Sequence, residues 1–358
     1  MELIPLLKRM IDERASDIFI IAGQPISFET SGRYKRVGNT PLMPEDTKEV
    51  VKSIYQLADR DFRLMEDNVN HDEDFSFAIA GVGRFRANVF RQRGSMSSII
   101  RVIPFGLPDP VEYEIPDNVL NLSRLPRGLV LVTGPAGSGK TTTLTCIIDR
   151  LNHERVGHII TMEDPIEYVH HHESCIVTQR EIPTDIATYG EALRSALRQS
   201  PDVILLGEMR DSETTATAMT AAETAQLLFS TLHTTSAAGT VDRIIDTFPA
   251  VQQQQIRIQL SLVLQAIVCQ QLVPTIDERV TPVFEIMKTN PAIRNLIRER
   301  KTHQIDSVIA AGANEGMRTM DQSLFDLVKG GRITPETALR YCNHEEALRH
   351  RLETEKLL

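Results

Sequence analysis

Cysteine is scarce in this sequence, and what there is stands scattered. Cys146, Cys175, Cys269 and Cys342 form no C-x-x-C pair, which speaks against a four-cysteine zinc site and fits reduced thiols in the cytoplasm. No apolar run approaches the ~18 residues of a membrane span, so any membrane role is expected to be peripheral. The opening MELIPLLKRMIDERASD has acidic residues where a secretory signal needs an apolar core and a cleavage site. Its Leu3, Leu6, Leu7 and Met10 share one side of a short amphipathic helix instead. Low-complexity tracts and internal repeats are also lacking. So is any excess of positive charge: 39 Lys and Arg against 48 Asp and Glu leave a net charge of −9. That balance argues against a broad nucleic-acid-binding face, though a local basic groove stays compatible with it.

What is present is an ordinary globular composition, 41% hydrophobic and 24% charged, in 358 residues. That length suits two domains with cores large enough to need no disulfide or metal staple. Residues 1–103 read as a small α+β unit: DIFIIAG, DFSFAIAG, GRFRANVF and SSIIRVIP are short β-rich runs, with a hairpin turn at Gly81–Gly83. Residues 104–118 hold Pro104, Pro108, Pro110 and Pro116, a density that predicts an extended, stiff linker. From 119 to 289 strands alternate with helices: GLVLVTG, then TTTLTCIIDRLNHE with Leu144, Ile147, Ile148 and Leu151 on one face, then HIITMED. Thr188 with Glu191 predicts the start of a further helix, and DVILLGE, ETTATAMTAAETAQ and LLFSTLH continue the alternation. The pattern predicts a mostly parallel sheet covered by helices. Residues 290–358 turn helical, opened by Asn290 as cap and Pro291 at the first helical position.

Gly134-Pro-Ala-Gly-Ser-Gly-Lys-Thr, residues 134–141, satisfies G-x-x-x-x-G-K-[ST] between a predicted strand and a predicted helix. Glycines let consecutive N–H groups turn inward around a phosphate, and the helix that follows offers its positive end. Gly134, Pro135, Ala136, Gly137, Ser138 and Gly139 would form this cradle. Lys140 would reach the β/γ oxygens of ATP, Thr141 would bind Mg²⁺, and Thr142 would reach the α-phosphate. A flexible glycine turn is the bland alternative, and the strand and helix on either side count against it.

Glu208 ends the apolar strand DVILLGE, where a carboxylate can orient and deprotonate water for attack on the γ-phosphate; Gly207 beside it would admit that water. Asp202 starts the same strand and is expected about 20 Å away, at ~3.3 Å per residue, as a turn or cap residue. Glu163, Asp164 and Glu167 in TMEDPIEYVH suggest a metal shell, though a charged loop would give the same pattern. His170-His171-His172 reads as a solvated loop. His233, at another strand end, could donate to the γ-phosphate, or could serve as a structural hydrogen-bonder. In GRFRANVF, Arg84 and Arg86 share a strand face opposite Phe85, Ala87 and Val89, with Arg91, Arg93 and Arg101 following. They are either a solvated face or arginine fingers for a neighbouring subunit's phosphate.

GPAGSGKTTT, TMEDPIEYVH, ALRSALRQSPDVILLGEMRD, STLHTTSAAGTVDRIIDTFP, NPAIRNLIRE and GMRTMDQSLFDLVKGGRIT, in this order, resemble the type IV pilus retraction ATPases, the PilT family of secretion motor ATPases. The likeness runs over essentially the whole chain. It implies a PAS-like N-terminal α+β domain, a RecA-like P-loop ATPase domain with C-terminal helices, and a homohexamer with nucleotide at subunit interfaces. Lys140 and Thr141 would then hold ATP and Mg²⁺, Glu163 would belong to the acidic box, Glu208 would be the Walker B glutamate and His233 the histidine-box residue. Arg84, Arg86 and Arg101 fall where relatives supply arginines in trans. The resemblance also implies a cytoplasmic protein acting on a pilus platform protein at the inner membrane to power twitching motility. Departures are few: ASDIFIIAGQP replaces the more usual opening, and Ala136 stands where threonine is common. The amphipathic pattern of AIRNLIRE puts Ala292, Ile293, Leu296 and Ile297 on one face with Arg294, Arg298 and Glu299 outward. Its retraction role comes only from the resemblance. Pilus-extension, type II secretion and conjugative ATPases, and a nucleotide-binding subunit without turnover, are the alternatives; the first two usually carry a longer N-terminal region and often a four-cysteine insert.

Overall fold

The computed structural model describes residues 2–30, 32–67, 72–103 and 106–358. The chain divides into two compact units, Met1–Gly106 with Glu167–Val169, and Leu107–Ile166 with His170–Leu358. In the first unit the order is α1 (Leu3–Asp12), β1 (Asp17–Ile20), β2 (Ser27–Thr30), β3 (Arg33–Arg36), α2 (Pro44–Leu57), α3 (Arg63–Asp67), β4 (Glu73–Ile79), β5 (Gly83–Gln92) and β6 (Ser95–Ile103). The strands make one antiparallel sheet in the order β3-β2-β1-β6-β5-β4. Leu3, Leu6, Leu7 and Met10 of α1 are buried, as their spacing predicts. Along β5, Gly83, Phe85, Ala87 and Val89 are buried while Arg84 and Arg86 are half-buried on the other face. The edge strand β3, RYKR, is exposed at every position and carries no apolar alternation to announce it. Backbone pairing to β2 holds it in place, Phe28 opposite Lys35.

The proline-dense stretch differs from the extended expectation, with Pro104 outside the described residues. Tyr113 N–H donates to Asp109 O at 3.1 Å and Ile115 N–H to Pro110 O at 2.9 Å, so the segment winds into turns. Pro110 suits this, because its fixed φ matches the first central position of a turn.

The second unit runs α4 (Asp117–Leu120), β7 (Gly128–Thr133), α5 (Lys140–Glu154), β8 (Gly157–Glu163), β9 (Cys175–Glu181), α6 (Tyr189–Ala196), β10 (Val203–Leu206), α7 (Ser212–Glu223), β11 (Leu227–Leu232), α8 (Ala237–Asp246), α9 (Ala250–Val263), β12 (Leu264–Pro274) and β13 (Val280–Lys288). It closes with the helices α10 (Pro291–Arg298), α11 (Ile305–Ala311), α12 (Met320–Lys329), α13 (Pro335–Tyr341) and α14 (Glu345–Thr354). The sheet order is β13-β12-β7-β11-β10-β8-β9, parallel except for the β12–β13 hairpin. Both faces are covered. Leu129 and Leu131 of β7 pack into the core beneath α6–α9, while Val130 and Val132 face α5 with Ile147, Ile148 and Leu151. Continuous burial of all six β7 residues is what a central parallel strand requires.

Helix starts follow the local chemistry read from the sequence. Thr188 accepts from Glu191 N–H at 3.3 Å, and Asn290 from Ile293 N–H at 3.0 Å. Asp202 lies at the amino end of β10, where its Oδ2 accepts from His158 N–H at 2.8 Å and ties β10 to β8. Asp202→Ala is expected to cost about 1–2 kcal/mol by orphaning that N–H. Denaturant titration should show the lowered midpoint, with nucleotide affinity unchanged because the site is at the sheet's other end.

Candidate active site

β7 stops at Thr133 and α5 starts at Lys140, so the sheet delivers Gly134–Gly139 as a loop at its carboxyl edge. Two glycines there are demanded by the neighbouring strand. A Cβ on Gly134 would lie 2.1 Å from the Gln270 carbonyl oxygen and 2.6 Å from Ser138 Oγ; one on Gly139 would lie 2.8 Å from Gln270 Nε2. Gly137 differs: its φ is 74° but a Cβ would meet nothing within 4 Å. Gln270, buried on β12, also accepts from Thr143 Oγ1 at 2.7 Å and so stitches the strand to the first turn of α5. Sequence reasoning missed this residue; its signal was the polar pair Gln270–Gln271 inside an apolar run. Lys140 Nζ donates to Gly134 O and Pro135 O, both at 2.9 Å, and therefore reaches back to the start of the loop.

The loop fits a phosphate on two counts. Gly139 at the head of α5 has no side chain to cap the helix, and the buried Ser138 Oγ has no hydrogen-bond partner. Helix-start N–H groups and an orphaned hydroxyl are donors suited to phosphate oxygens.

Along the same edge the next strands present the other candidates in sheet order. His233 follows β11, Glu208 lies just beyond β10, and Glu163 ends β8. Glu208 Oε2 accepts from Arg210 Nε at 2.7 Å, and its Oε1 lies 3.2 Å from His233 Nε2. The structure thus brings Glu208 and His233 together and adds Arg210, two residues on in GEMRD. The bond to Glu208 raises the Arg210 pKa and keeps the guanidinium charged. Glu163 is nearly buried, its Oε1 accepting from Thr161 Oγ1 at 2.6 Å and Gln179 Nε2 at 3.2 Å. Asp164 and Glu167 are exposed instead. Gly207 does not make room for water as the sequence suggests: a Cβ there would lie 2.7 Å from the Tyr189 hydroxyl, which occupies that space. Burial, then the Asp164 charge, raises the Tyr189 pKa, so the phenol stays neutral.

Three other expectations meet the structure differently. His170 is not solvated: it is 8% exposed, and burial pushes its imidazole down to about 4, so it is neutral at physiological pH. His171 and His172 are exposed, as a loop reading requires. Arg294 does not look outward; its Nη1 donates to the carbonyls of Ser261 and Leu262 (2.8 Å to the latter), capping the last turn of α9. In the first unit, Arg86 faces Arg101 across the β5–β6 ladder, and each is held by its own acid. Arg86 makes a two-point pair with Asp74 (2.8 and 2.6 Å), and Arg101 Nε donates to Asp17 at 2.8 Å. Arg84 shares their face and is half-buried.

The family model described as type II/IV secretion system protein matches residues 2–328. The chain belongs to that family, in its PilT group. The type IV pilus retraction ATPase PilT of Pseudomonas aeruginosa is 44% identical over 339 residues, covering 94% of this chain and 97% of the relative. The type IV pilus ATPase PilU of the same organism is 40% identical over 351 residues, covering 98% of this chain and 91% of the relative. A crystal structure of the pilus retraction motor PilT with bound ADP superposes with a TM-score of 0.90 at 43% identity, covering 98% of this chain and 99% of that one. In this chain β12 approaches the loop so closely at Gly134 that a Cβ would collide with the Gln270 carbonyl. Gly134→Ala is therefore expected to abolish binding of a fluorescent ADP analogue, while Gly137→Ala, which meets only a left-handed backbone penalty of about 1–2 kcal/mol, weakens it by roughly tenfold.

Proposed function

We propose that this chain is an ATP-hydrolysing motor, working as a homohexamer, that powers type IV pilus retraction and hence twitching motility. One observation carries the reading: phosphate loop, histidine and two carboxylates stand on four adjacent strand ends at one edge of a parallel sheet. Relatives similar over nearly the whole chain are named as a pilus retraction ATPase and a pilus ATPase, and a crystal structure of a similar retraction motor holds ADP.

Gly134 to Gly139 would wrap the β-phosphate with backbone N–H groups, with Lys140 leaving its two loop carbonyls for phosphate oxygens and Thr142 meeting the α-phosphate. Thr141 and Glu163 would hold Mg²⁺, which supplies charge neutralisation between the terminal phosphates. Those two residues would share the ion with the nucleotide's own oxygens; among the described residues no group of three or more His, Cys, Asp or Glu is placed to hold a metal. Glu208 accepts the proton of the attacking water, and Arg210 and His233 fix the orientation of its carboxylate. His233 donates toward the γ-phosphate. Arg84, Arg86 and Arg101 act on the nucleotide of an adjacent subunit; Arg101 suits this best, since its side chain keeps 63% exposure while paired to Asp17. Binding would draw domains together and hydrolysis release them, a two-state arrangement biased by phosphate contacts.

Among the described residues no helix is long and apolar enough to cross a membrane. Force would pass to a pilus platform protein at the cytoplasmic face of the inner membrane. The rival readings, an extension or secretion ATPase and a subunit without turnover, differ in what they do to the pilus and to ATP.

In a strain lacking its retraction motor, wild-type protein should restore twitching, and Lys140→Ala should not. Piliated, immobile cells with the wild type would refute the retraction role. Purified Glu208→Gln should keep ATP affinity and lose roughly 10²–10⁴ in turnover; wild type no faster than this variant would identify the subunit without turnover.

A further inference from the structure

A row of buried polar side chains crosses the sheet one rung before the phosphate loop. Thr133 on β7 pairs with Cys269 on β12, and Cys269 pairs with Glu285 on β13. None is more than 1% exposed. Thr133 Oγ1 donates to Cys269 Sγ at 3.2 Å. Burial, then the Glu285 charge, raises the Cys269 pKa well above its ordinary value, so the sulfur keeps its hydrogen and directs it to Glu285.

Glu285 ends the row and serves three other elements. Its Oε1 accepts the N–H of Ala237, the first residue of α8, at 2.7 Å. Its Oε2 accepts the Asn343 side-chain amide at 3.0 Å, from the segment between α13 and α14, and lies 3.4 Å from the N–H of Met320, the first residue of α12. Each of these helices has a second donor satisfied by its own cap. Ser236 accepts from Gly239 N–H at 3.1 Å, and Thr319 from Gln322 N–H at 3.1 Å. A single carboxylate therefore stands at two helix starts, where both dipoles favour negative charge. Every group hydrogen-bonded to it is a donor, while the Asp306 carboxylate repels its charge.

The position matters because α8 begins four residues after His233. Thr234, next to that histidine, shares a 2.7 Å hydrogen bond with Thr240, which also bonds Ser236 O at 2.7 Å. The start of α8, the Thr234 hydroxyl and the end of β7 thus meet around one buried polar core. Thr133, Ala237, Thr240, Cys269 and Glu285 itself are buried, while Thr234 and Ser236 are half-buried and Asn343 is exposed, and a carboxylate is a costly group to bury. Burial pushes the carboxyl up to about 7, although the Ala237 and Met320 N–H groups pull the other way.

We infer that Glu285 is a positioning residue for the hydrolytic reaction, fixing the His233–Ser236 segment against the phosphate-loop strand and tying it to the C-terminal helices. The inference rests on the ATPase reading above. Glu285 touches no reacting atom; it acts through Ala237 and so through the placement of His233. The C-terminal helices in turn gain a direct mechanical link to the site, through Asn343 and Met320.

The test compares Glu285→Ala, Glu285→Gln and Asn343→Ala with the full-length protein, after thermal unfolding has shown which variants are folded. Glu285→Ala should lower kcat for ATP roughly tenfold, the effect of one lost buried hydrogen bond, with KM within twofold. Glu285→Gln keeps an acceptor for Ala237 N–H and should recover much of the loss. Asn343→Ala, which leaves the carboxylate in place, should lower kcat roughly threefold. A folded Glu285→Ala with kcat within twofold of wild type overturns the inference, as does a Gln variant no better than Ala. Should Glu285→Ala fail to fold, Asn343→Ala decides, and wild-type kcat there overturns it. Hydrogen exchange separates this result from the functional reading: residues 232–237 should open faster in the folded variants even if the wild type proved unable to hydrolyse ATP. A wild type without turnover would sink the ATPase reading and the catalytic part of this inference with it, whereas unchanged exchange in the variants of an active wild type would sink this inference alone.

Discussion

β7 and β12 run side by side and parallel up to the phosphate loop, and at Gly134 the Gln270 carbonyl comes closer than any side chain would permit. That closeness fixes where the loop leaves the sheet. It also lets the Gln270 side chain lie under Gly139 and reach Thr143, so the first turn of α5 is bound to the strand beside it. A loop of small residues would otherwise sample many conformations, with a matching loss of order for any ligand to make good. Here steric contact on one side and hydrogen bonding on the other leave it few.

The edge built around that loop separates its two carboxylates by the partners they are given. Glu163 is held by a hydroxyl and an amide, both neutral, in a nearly closed setting. Glu208 faces an arginine and a histidine, both more than half exposed. One environment suits a fixed ligand, the other a group that exchanges partners during a reaction. The arginines of the first unit follow a related logic. Arg86 and Arg101 sit opposite each other, where like charges repel, and Asp74 and Asp17 offset this. Their guanidinium groups are thereby held in defined places instead of splaying apart.

The C-terminal half of the second unit spends buried polar groups sparingly, and Glu285 is the costliest of them. Placing a carboxylate where two helices begin converts an expensive group into a junction, because both helix starts need an acceptor and neither can find water. Arg294 does the converse at the end of α9, offering donors to carbonyls that the helix leaves unmatched. The AIRNLIRE segment is therefore part of the packing of the domain as well as its surface.

Much of this was legible from residue order. The spacing of Gly134, Gly139, Lys140 and Thr141, the apolar faces of α1 and α5, the caps at Thr188 and Asn290, and the alternation of strand and helix are all local, since neighbours in sequence create them. Such signals survive without a fold. What only the tertiary structure decided are meetings between distant residues: Gln270 beneath the loop, Tyr189 in the space beside Gly207, Arg210 and His233 on one carboxylate, Glu285 between two helices. Burial of His170 and the inward turn of Arg294 belong with them. Turns in the proline-rich stretch and the pairing of RYKR as an edge strand came from backbone partners that no periodicity records. Sequence pattern encodes which face of an element is apolar, because that depends on a few adjacent side chains; it does not encode which polar group lies across the gap, because that depends on how several elements pack at once.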